Sequence, residues 1–213
     1  MFYETLYQLP VKPLLPIYLG YYFGSPKRNS HILYNTEQLT RICKLLLIVS
    51  DINKYSPVEV WDYSLANIEI LKLHGIHNVK HVPLSCTENY KNELLSYRNT
   101  IDYDVGFCGG LSSRRKEIFR RLRSAGISVN IVTDFGKKRD RQLARCRIIL
   151  NIHFKNNYCI FESARCEQWL SIGVPVVSEH SILDDPRCIN TSYESIVDTV
   201  KKELIALKHK THA

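Results

Sequence analysis

The stretch "DVGFCGGLSSRRKEIFRRL", residues 104–122, decides how this 213-residue chain is interpreted. Its first part is a short apolar run that ends at Gly109 and Gly110, a pattern typical of a buried β-strand. Ser112 then begins a helical pattern that closes at Gly126, since serine is a favoured helix N-cap and glycine a favoured C-terminal stop. A strand, a glycine turn and a helix in this order predict one unit of an α/β fold.

The same alternation continues on both sides of this unit. It predicts strands over 31–34, 58–64, 79–85, 103–109, 128–134, 147–153 and 174–179. It predicts helices from Thr36 and over 65–75, 112–126, 138–146, 161–173 and 192–210. Because strands separated by helices require crossover connections, we expect a doubly wound, mainly parallel sheet over about residues 100–190. The polar stretch 86–102 is interpreted as a linker, so the predicted lobes are 1–100, abbreviated, and 101–213.

Composition excludes several classes of protein. The seven cysteines include no C-x-x-C pair, which argues against a disulfide framework and a zinc site and favours a reducing compartment. Prolines interrupt the apolar N-terminal segment, and no basic region precedes an unbroken apolar run, so we expect no signal peptide. No window approaches the 18 or so apolar residues of a transmembrane helix. The chain is therefore expected to be cytoplasmic.

Positive charge is concentrated in one part of the chain. The formal net charge is +8, yet residues 106–150 alone contain twelve lysines and arginines against three acidic residues. A local positive field suits a phosphate-bearing partner, either a nucleotide or a nucleic acid. The window lacks interleaved aromatic residues for base stacking, which disfavours nucleic acid.

The Gly109-Gly110 turn is a candidate phosphate site. Glycines allow close approach of backbone amides, and the following helix N-terminus carries unpaired N–H groups beside Arg114 and Arg115. The sequence matches neither the Walker loop nor the G-x-G-x-x-G dinucleotide turn. The alternative interpretation is a tight turn that leads into a solvated basic helix.

Two further segments supply candidate polar residues. Asn151 and His153 stand at the carboxyl end of a predicted strand, where ligands of open α/β sheets bind, although a lone histidine is more often structural. Glu162, Arg165 and Glu167 stand at the start of helix 161–173. They form either a surface ion pair with a solvated glutamate or a group that binds ribose and diphosphate.

The segments "DVGFCGG…RRKEIFRRL", "FGKKRD…ARCRIILNIHF" and "FESARCEQWLSIGVPVVSE" resemble, in order and spacing, the nucleotide-binding half of GT-B-fold glycosyltransferases. "HILYNTEQL" and "VEVWDYSLANIEILKLHGIHNVKHVPLS" look like the upstream segments of a glycosyltransferase-like family of large DNA viruses and bacteria. The resemblance covers roughly residues 31–180. It implies a GT-B-like fold, with a nucleotide-sugar donor bound between the lobes and the acceptor on the side of the first lobe.

The resemblance also implies roles for individual residues. Glu167, ahead of the "GVPVV" run, matches a glutamate that contacts the donor ribose, whereas Glu162 is displaced from the position of the usual first glutamate. Arg114 or Arg115 matches the cation that binds the donor diphosphate. We therefore expect Arg114, Arg165 and Glu167 to converge on one crevice, together with the other candidate donor-binding residues Gly109, Gly110, Arg115, Asn151, His153 and Glu162.

No catalytic base can be assigned from the abbreviated first lobe. Glu37, Asp62 and His153 are the candidates, and either carboxylate could instead cap a helix. The "DYD" at 102–104 resembles a D-x-D metal motif, but we interpret it as the start of a strand. GT-B chemistry requires no metal, and no cofactor is expected beyond the nucleotide-sugar substrate.

The resulting hypothesis is transfer of a sugar from a nucleotide-sugar to a hydroxyl of an unknown glycan, protein or small-molecule acceptor. If the chain is viral, this activity is expected in the host cytoplasm. Two alternatives remain open. One is an inactive GT-B relative that binds a nucleotide-sugar or a protein partner, and the other is a basic nucleic-acid-binding module.

Overall fold

The computed structural model of the chain describes residues 15–19 and 30–210. The prediction that the chain has no signal peptide concerns its N-terminal segment, most of which lies outside the described residues. Over the described residues the fold is α/β and Rossmann-like, with two separate parallel sheets. None of the helices in these residues combines the length and the apolar character that crossing a lipid bilayer requires.

The first sheet has four parallel strands in the order β1-β2-β3-β4. Its strands are β1 Ile17–Leu19, β2 Ile32–Asn35, β3 Glu59–Asp62 and β4 Val79–His81; helix α1 Ile42–Tyr55 follows β2, and helix α2 Leu65–Leu73 follows β3. Leu33 and Val60 pack against α1 and α2 on one face. Tyr34 and Trp61 belong to a second cluster on the opposite face, as the two-residue period of a strand requires.

The second sheet has five parallel strands in the order β6-β5-β7-β8-β9. The strands are β5 Tyr103–Cys108, β6 Val129–Val132, β7 Cys146–Asn151, β8 Val176–Glu179 and β9 Ile189–Thr191. The helices are α3 Glu88–Ser96, α4 Ser113–Ser124, α5 Gly136–Leu143, α6 Ser163–Leu170 and α7 Ile196–Lys210. Helices α4 and α7 cover one face, and α3, α5 and α6 cover the other. The predicted doubly wound parallel architecture is confirmed for this part of the chain.

The strand order identifies where a ligand crevice forms in the second sheet. The chain runs from β5 outward to β6 and then returns to β7 on the other side of β5. The helices that follow β5 and β7 therefore lie on opposite faces and leave a gap beyond the carboxyl ends of these two strands. Open α/β sheets bind ligands at such a switch point.

Helix α4 begins where the sequence predicted it. The Ser112 side chain accepts a hydrogen bond from the Arg115 backbone N–H at 3.3 Å, and Gly126 after the helix has a φ of +75°. Ile118, Phe119 and Leu122 are buried against the sheet. Both ends of the helix are thus fixed by local chemistry, and its apolar stripe fixes which side faces the core.

One prediction in the first hundred residues is wrong, and another needs more detail. Helix α1 begins at Ile42 rather than Thr36, because side chains hold the preceding backbone in turns: Asn35 Oδ1 accepts from Glu37 N at 3.1 Å, and Asn67 Oδ1 accepts from Leu39 N at 3.0 Å. The stretch 86–102, interpreted as a linker, connects β4 of the first sheet to β5 of the second and contains α3. Its Thr87 caps the helix, and its Tyr90 and Leu94 enter the core of the second sheet.

The two sheets are joined by a buried contact. Ile160, from the segment between β7 and α6, is 1% exposed and lies in the cluster that contains Tyr34 and Trp61 of the first sheet. Gln38 adds polar contacts, because its Oε1 accepts from Ile160 N at 3.3 Å and its Nε2 donates to Glu162. The loop before α6 is therefore part of both halves of the molecule.

Gly106 in strand β5 packs closely against Cys146 and Leu143, and this close packing can be tested. A Cβ placed on Gly106 would lie 2.6 Å from Cys146 Sγ and 3.0 Å from Leu143 Cδ2. We expect Gly106→Ala to lower the free energy of unfolding by about 1–3 kcal/mol through overpacking, as measured by urea denaturation. Cys146→Ala removes the nearest atom, so Gly106→Ala should cost less in that background. Strictly additive effects of the two changes would contradict this explanation.

Candidate functional site

Two buried arginines meet at the switch point of the second sheet. Arg115, from α4, is 3% exposed, and Arg165, from α6, is 9% exposed. Arg115 donates from Nε and Nη2 to the Ile152 carbonyl at 2.8 and 2.6 Å, and from Nη1 to the Gly110 carbonyl at 2.7 Å. Arg165 donates from Nε to the Cys108 carbonyl at 2.8 Å. Carbonyls after β5 and β7 thus hold both side chains in place.

Gly109 leaves room for both guanidinium groups. Its φ is +131°, and a Cβ there would lie 3.0 Å from Arg165 Nη2 and 3.5 Å from Arg115 Nη1. Both guanidinium carbons lie 5.0 Å from the centroid of the Phe107 ring. The glycine is required here both by its backbone conformation and by the approach of the two side chains.

The positive charge of this pair is not neutralised locally. Within the described residues, no ion pair joins Arg115 or Arg165 to a carboxylate; their close partners are neutral oxygens. Burial, and secondly the neighbouring Arg165 charge, lower the pKa of Arg115 to about 9. Buried charges are normally paired. The arrangement therefore favours an anionic ligand, and an oxyanion is what two adjacent guanidinium groups bind best.

A cavity of about 400 Å³ opens on one side of the arginine pair. We call it the glycine cavity; it is lined by the ends of β5 and β6 and the start of α6, through Cys108, Gly109, Gly110, Val132, Thr133, Asp134, Phe135, Arg139, Glu162, Ala164 and Arg165. Phe135 is 88% exposed. A ring exposed to this extent at a cavity edge offers a stacking surface for a planar group.

A second cavity of about 390 Å³ lies between the two sheets. We call it the aromatic cavity; its lining residues are Thr36, Glu37, Gln38, Arg41, Tyr63, Arg115, Phe154, Lys155, Tyr158, Glu162 and Arg165. Glu162 and Arg165 line both cavities. Residues that follow β2 and β3 of the first sheet thus face residues that follow β5 and β7 of the second.

Arg114 does not belong to this site. Its Nη1 donates to Glu179 Oε2 at 2.6 Å, its Nη2 also donates to Glu179, and its guanidinium stacks 3.8 Å above the Tyr193 ring. It lines a different cavity of about 740 Å³ beside the end of β8. Because adjacent residues of a helix point about 100° apart, Arg114 and Arg115 reach opposite sides of the β7 end.

Glu167 is also separated from the arginine pair. It accepts from Arg187 Nη1 and Nη2 at 3.2 and 2.7 Å, and Arg187 also contacts Asp185. These residues line a further cavity of about 540 Å³. The expectation that Arg114, Arg165 and Glu167 converge on one crevice is therefore wrong. A hypothesis of donor binding cannot be based on that trio, and the role of Glu167 toward ribose stays a prediction.

Asn151 and His153 support other residues. Asn151 is fully buried, and its Oδ1 accepts from Arg165 Nη1 at 2.6 Å, so it positions the arginine. His153 is 2% exposed, with Nε2 2.9 Å from the His180 carbonyl oxygen, and its backbone N–H donates to Glu179. Burial lowers the pKa of the His153 ring. The ring contacts residues that follow β8 and does not line either of the two central cavities.

The two carboxylate candidates have different environments. Glu37 lines the aromatic cavity and forms ion pairs with Arg41 at 3.6 Å and Lys44 at 3.4 Å. Asp62 is fully buried and accepts from Asn35 Nδ2 at 2.6 Å and from Ser64 N at 2.8 Å. Asp62 is thus a structural acceptor in the turn before α2, but it does not cap this helix, because the N-cap is Ser64.

The "DYD" segment lies at the start of β5, as interpreted from the sequence. Asp102 pairs with Arg145, and Asp104 accepts from Ser128 N at 2.9 Å. Within the part of the chain that the structure describes, no group of three or more His, Cys, Asp or Glu side chains is arranged to hold a metal ion.

Several lining residues were missed from the sequence. Gln38, Tyr63, Phe154 and Tyr158 all line the aromatic cavity. Each follows a strand directly or lies in the loop after it, and this position was the available signal. The loop "HFKNNY" after β7, with two aromatic residues and a lysine, was a stronger signal than the charged residues of the helices.

Comparison with known proteins finds relatives but no function. No protein-family model matches the chain. An uncharacterized protein of Acanthamoeba polyphaga mimivirus is 34% identical over 196 residues, which is 87% of this chain and 62% of the relative. Two further uncharacterized proteins of that virus are 36% and 33% identical over 71% of this chain, and the matches cover 20% and 51% of their lengths. The chain thus spans less than two thirds of these relatives.

The buried carboxyl of Asp62 predicts a pH dependence of stability. Burial outweighs its hydrogen bonds and raises its pKa to about 7, against about 3.9 in an unfolded chain. Between about pH 4 and pH 7 the Asp62 carboxyl is therefore protonated in the folded state but ionised in the unfolded chain. The free energy of unfolding falls as pH rises through this range. We expect a contribution of up to about 1.4 kcal/mol per pH unit in this window.

Asp62→Asn removes this titration. Urea denaturation between pH 4 and 8 should show a smaller loss of stability with rising pH for Asp62→Asn than for the unmodified protein. Glu69→Gln, at an exposed position of α2, is the control and should leave the pH dependence unchanged. Parallel curves for the Asp62 variant and the unmodified protein would contradict the assignment.

Proposed function

We propose that this chain binds a nucleotide-sugar between its two sheets and transfers the sugar to a hydroxyl group of an acceptor. The observation that supports the proposal most directly is the buried pair of Arg115 and Arg165, which has no carboxylate partner among the described residues and lies beside Gly109 at the switch point. A diphosphate supplies the anionic oxygens that two such guanidinium groups require.

The proposed chemistry needs positive charge beside the bond that breaks between the sugar and the diphosphate. The acceptor oxygen forms a bond to the anomeric carbon, the bond from that carbon to the diphosphate oxygen breaks, and the diphosphate leaves with the electron pair. Arg115 and Arg165 would stabilise this developing charge. Because carbonyl oxygens and Asn151 already fix their positions, little reorganisation is needed during the reaction.

The two cavities on either side of the arginine pair suit the two ends of a donor. In the proposal the nucleoside occupies the glycine cavity, where Phe135 is available for stacking. The sugar then extends past Arg165 and Glu162, the residues that both cavities share. Carboxylates such as Glu162 are suitable acceptors for sugar hydroxyls.

The aromatic cavity is proposed to receive the acceptor. Glu37 is the only one of the three catalytic candidates among the residues that line it. The proposal therefore assigns the acceptor hydroxyl proton to Glu37. Residues from both sheets line this cavity, and such an arrangement agrees with the GT-B-like fold that the resemblance implies.

One observation favours binding without turnover as an alternative. Both carboxylates that line the aromatic cavity already have partners: Glu162 accepts from Gln38, and Glu37 pairs with Arg41 and Lys44. Glu37 must therefore give up or share these ion pairs before it can accept a proton from an acceptor hydroxyl. Binding and turnover are therefore tested separately.

Binding is tested by thermal denaturation with UDP, GDP and their sugar conjugates. A ligand at 100 times its Kd stabilises the folded state by about 2.7 kcal/mol, so a fitting nucleotide should raise Tm clearly. We expect Arg165→Gln to weaken this binding about 10- to 100-fold, because it removes charge-assisted hydrogen bonds to the diphosphate. Arg120→Gln is the matched control, since Arg120 lies on the exposed face of α4 and, among the described residues, pairs with Glu117 alone.

Two results would count against nucleotide binding at this site. One is the absence of stabilisation by all the nucleotides at millimolar concentration. The other is equal nucleotide affinity of the Arg165 variant and the unmodified protein. Salt-sensitive binding to mixed oligonucleotides without any nucleotide response would favour the nucleic-acid-binding alternative.

Turnover is tested by the release of nucleoside diphosphate in the presence of candidate acceptors. We expect release to depend on the acceptor and to fall at least about 100-fold in Glu37→Gln, as loss of a general base predicts. Nucleotide affinity should change little in this variant. Nucleotide binding without acceptor-dependent release in the unmodified protein would support a binding protein instead of an enzyme.

A further inference from the structure

The more exposed end of the aromatic cavity, which we call its mouth, carries a second group of cations. Arg41, from the turn before α1, and Lys155, from the loop after β7, both line the cavity. The guanidinium carbon of Arg41 lies 4.7 Å and Lys155 Nζ 5.7 Å from the centroid of the Tyr158 ring. The two cations therefore approach one aromatic side chain from the two halves of the molecule.

A series of ring contacts links these cations to the arginine pair. The rings of Phe154 and Tyr158 are 6.2 Å apart and nearly parallel, with an interplanar angle of 18°. The guanidinium carbon of Arg115 lies 5.3 Å from the centroid of the Phe154 ring. The cavity thus has a cationic floor, an aromatic wall and a cationic mouth.

Acidic residues balance the charge at the mouth only in part. Glu37 is shared between Arg41 and Lys44. Lys155 is exposed and forms no ion pair with any residue in the described ranges. Arg41 Nε is buried and has no hydrogen-bond partner within those same residues. A cationic mouth with an unused buried donor indicates a ligand that brings its own negative charge.

We propose that the acceptor carries a phosphate or carboxylate group, which binds between Arg41 and Lys155 while its sugar or other ring packs against Tyr158. This inference rests on the proposed function, because it assumes that the donor diphosphate occupies Arg115 and Arg165. It goes beyond that function by naming the chemical class of the acceptor. Phosphate and carboxylate share the required chemistry, and the experiment distinguishes them.

The probes are three monosaccharides tested with saturating nucleoside diphosphate, which keeps the arginine pair occupied. They are glucose 6-phosphate, glucuronate and the uncharged methyl glucoside. Binding is measured by thermal shift and by calorimetric titration at low and high salt. We expect the charged compounds to bind and the neutral one not to bind, with affinity falling as salt screens the mouth. The tighter of the two charged compounds identifies phosphate or carboxylate.

Lys155 provides the variant because its side chain is exposed and its replacement leaves the core intact. Lys155→Gln should weaken binding of the charged compound up to about fivefold, the effect of one exposed ion pair, and Lys155→Glu should weaken it further. Lys155→Arg should retain it. Lys201→Gln, on the exposed side of α7, is the matched control and should have no effect. Nucleotide affinity should stay the same in all four variants.

The outcomes separate this inference from the proposed function. Two results would overturn the charged-acceptor inference and leave the donor site intact. One is nucleotide binding without a preference for charged monosaccharides, and the other is equal affinity of Lys155→Glu and the unmodified protein for the charged compound. Binding of charged monosaccharides that depends on Lys155 in a protein that binds no nucleotide would support the cationic mouth and refute the donor proposal. Tighter binding of the neutral compound would also overturn the inference.

Discussion

The buried charge of Arg115 and Arg165 is the constraint on which the centre of this structure depends. Removing a guanidinium group from water costs several kcal/mol unless its donors find partners. Here the partners are carbonyls at the ends of β5 and β7 and the side chain of Asn151. Such an arrangement satisfies the hydrogen bonds of the arginines but leaves their charge available, which is the condition for binding an anion tightly.

This constraint also explains several neighbouring residues. Gly109 must lack a side chain because Arg165 Nη2 occupies the space. Phe107 provides a ring against which both guanidinium groups lie. Asn151 is in turn fixed through its Nδ2, which donates to Ser178 on β8 at 3.0 Å. The site is therefore held by the ends of β5, β7 and β8 and by the residues directly after β5 and β7.

The second important contact joins the two sheets. Ile160 completes a core cluster of the first sheet, and Gln38 bonds to both Ile160 and Glu162. The segment between β7 and α6 thus sets the width of the space between the sheets. Gln38 also fixes the position of the Glu162 carboxylate, which borders both central cavities.

The sequence by itself determined the order of strands and helices from β5 to β8, the parallel sheet and the cap of α4, because these depend on local periodicity, glycine positions and hydrogen bonds between near neighbours. It also indicated that Gly109, Gly110, Arg115, Glu162 and Arg165 lie near a site. It did not indicate the short strand β9. It did not distinguish Arg115 from Arg114, nor exclude Glu167, because the partners Glu179 and Arg187 are 65 and 20 residues distant. Only the tertiary structure decided which charges are neutralised, since ion pairing and burial arise from packing between segments that the linear pattern does not relate.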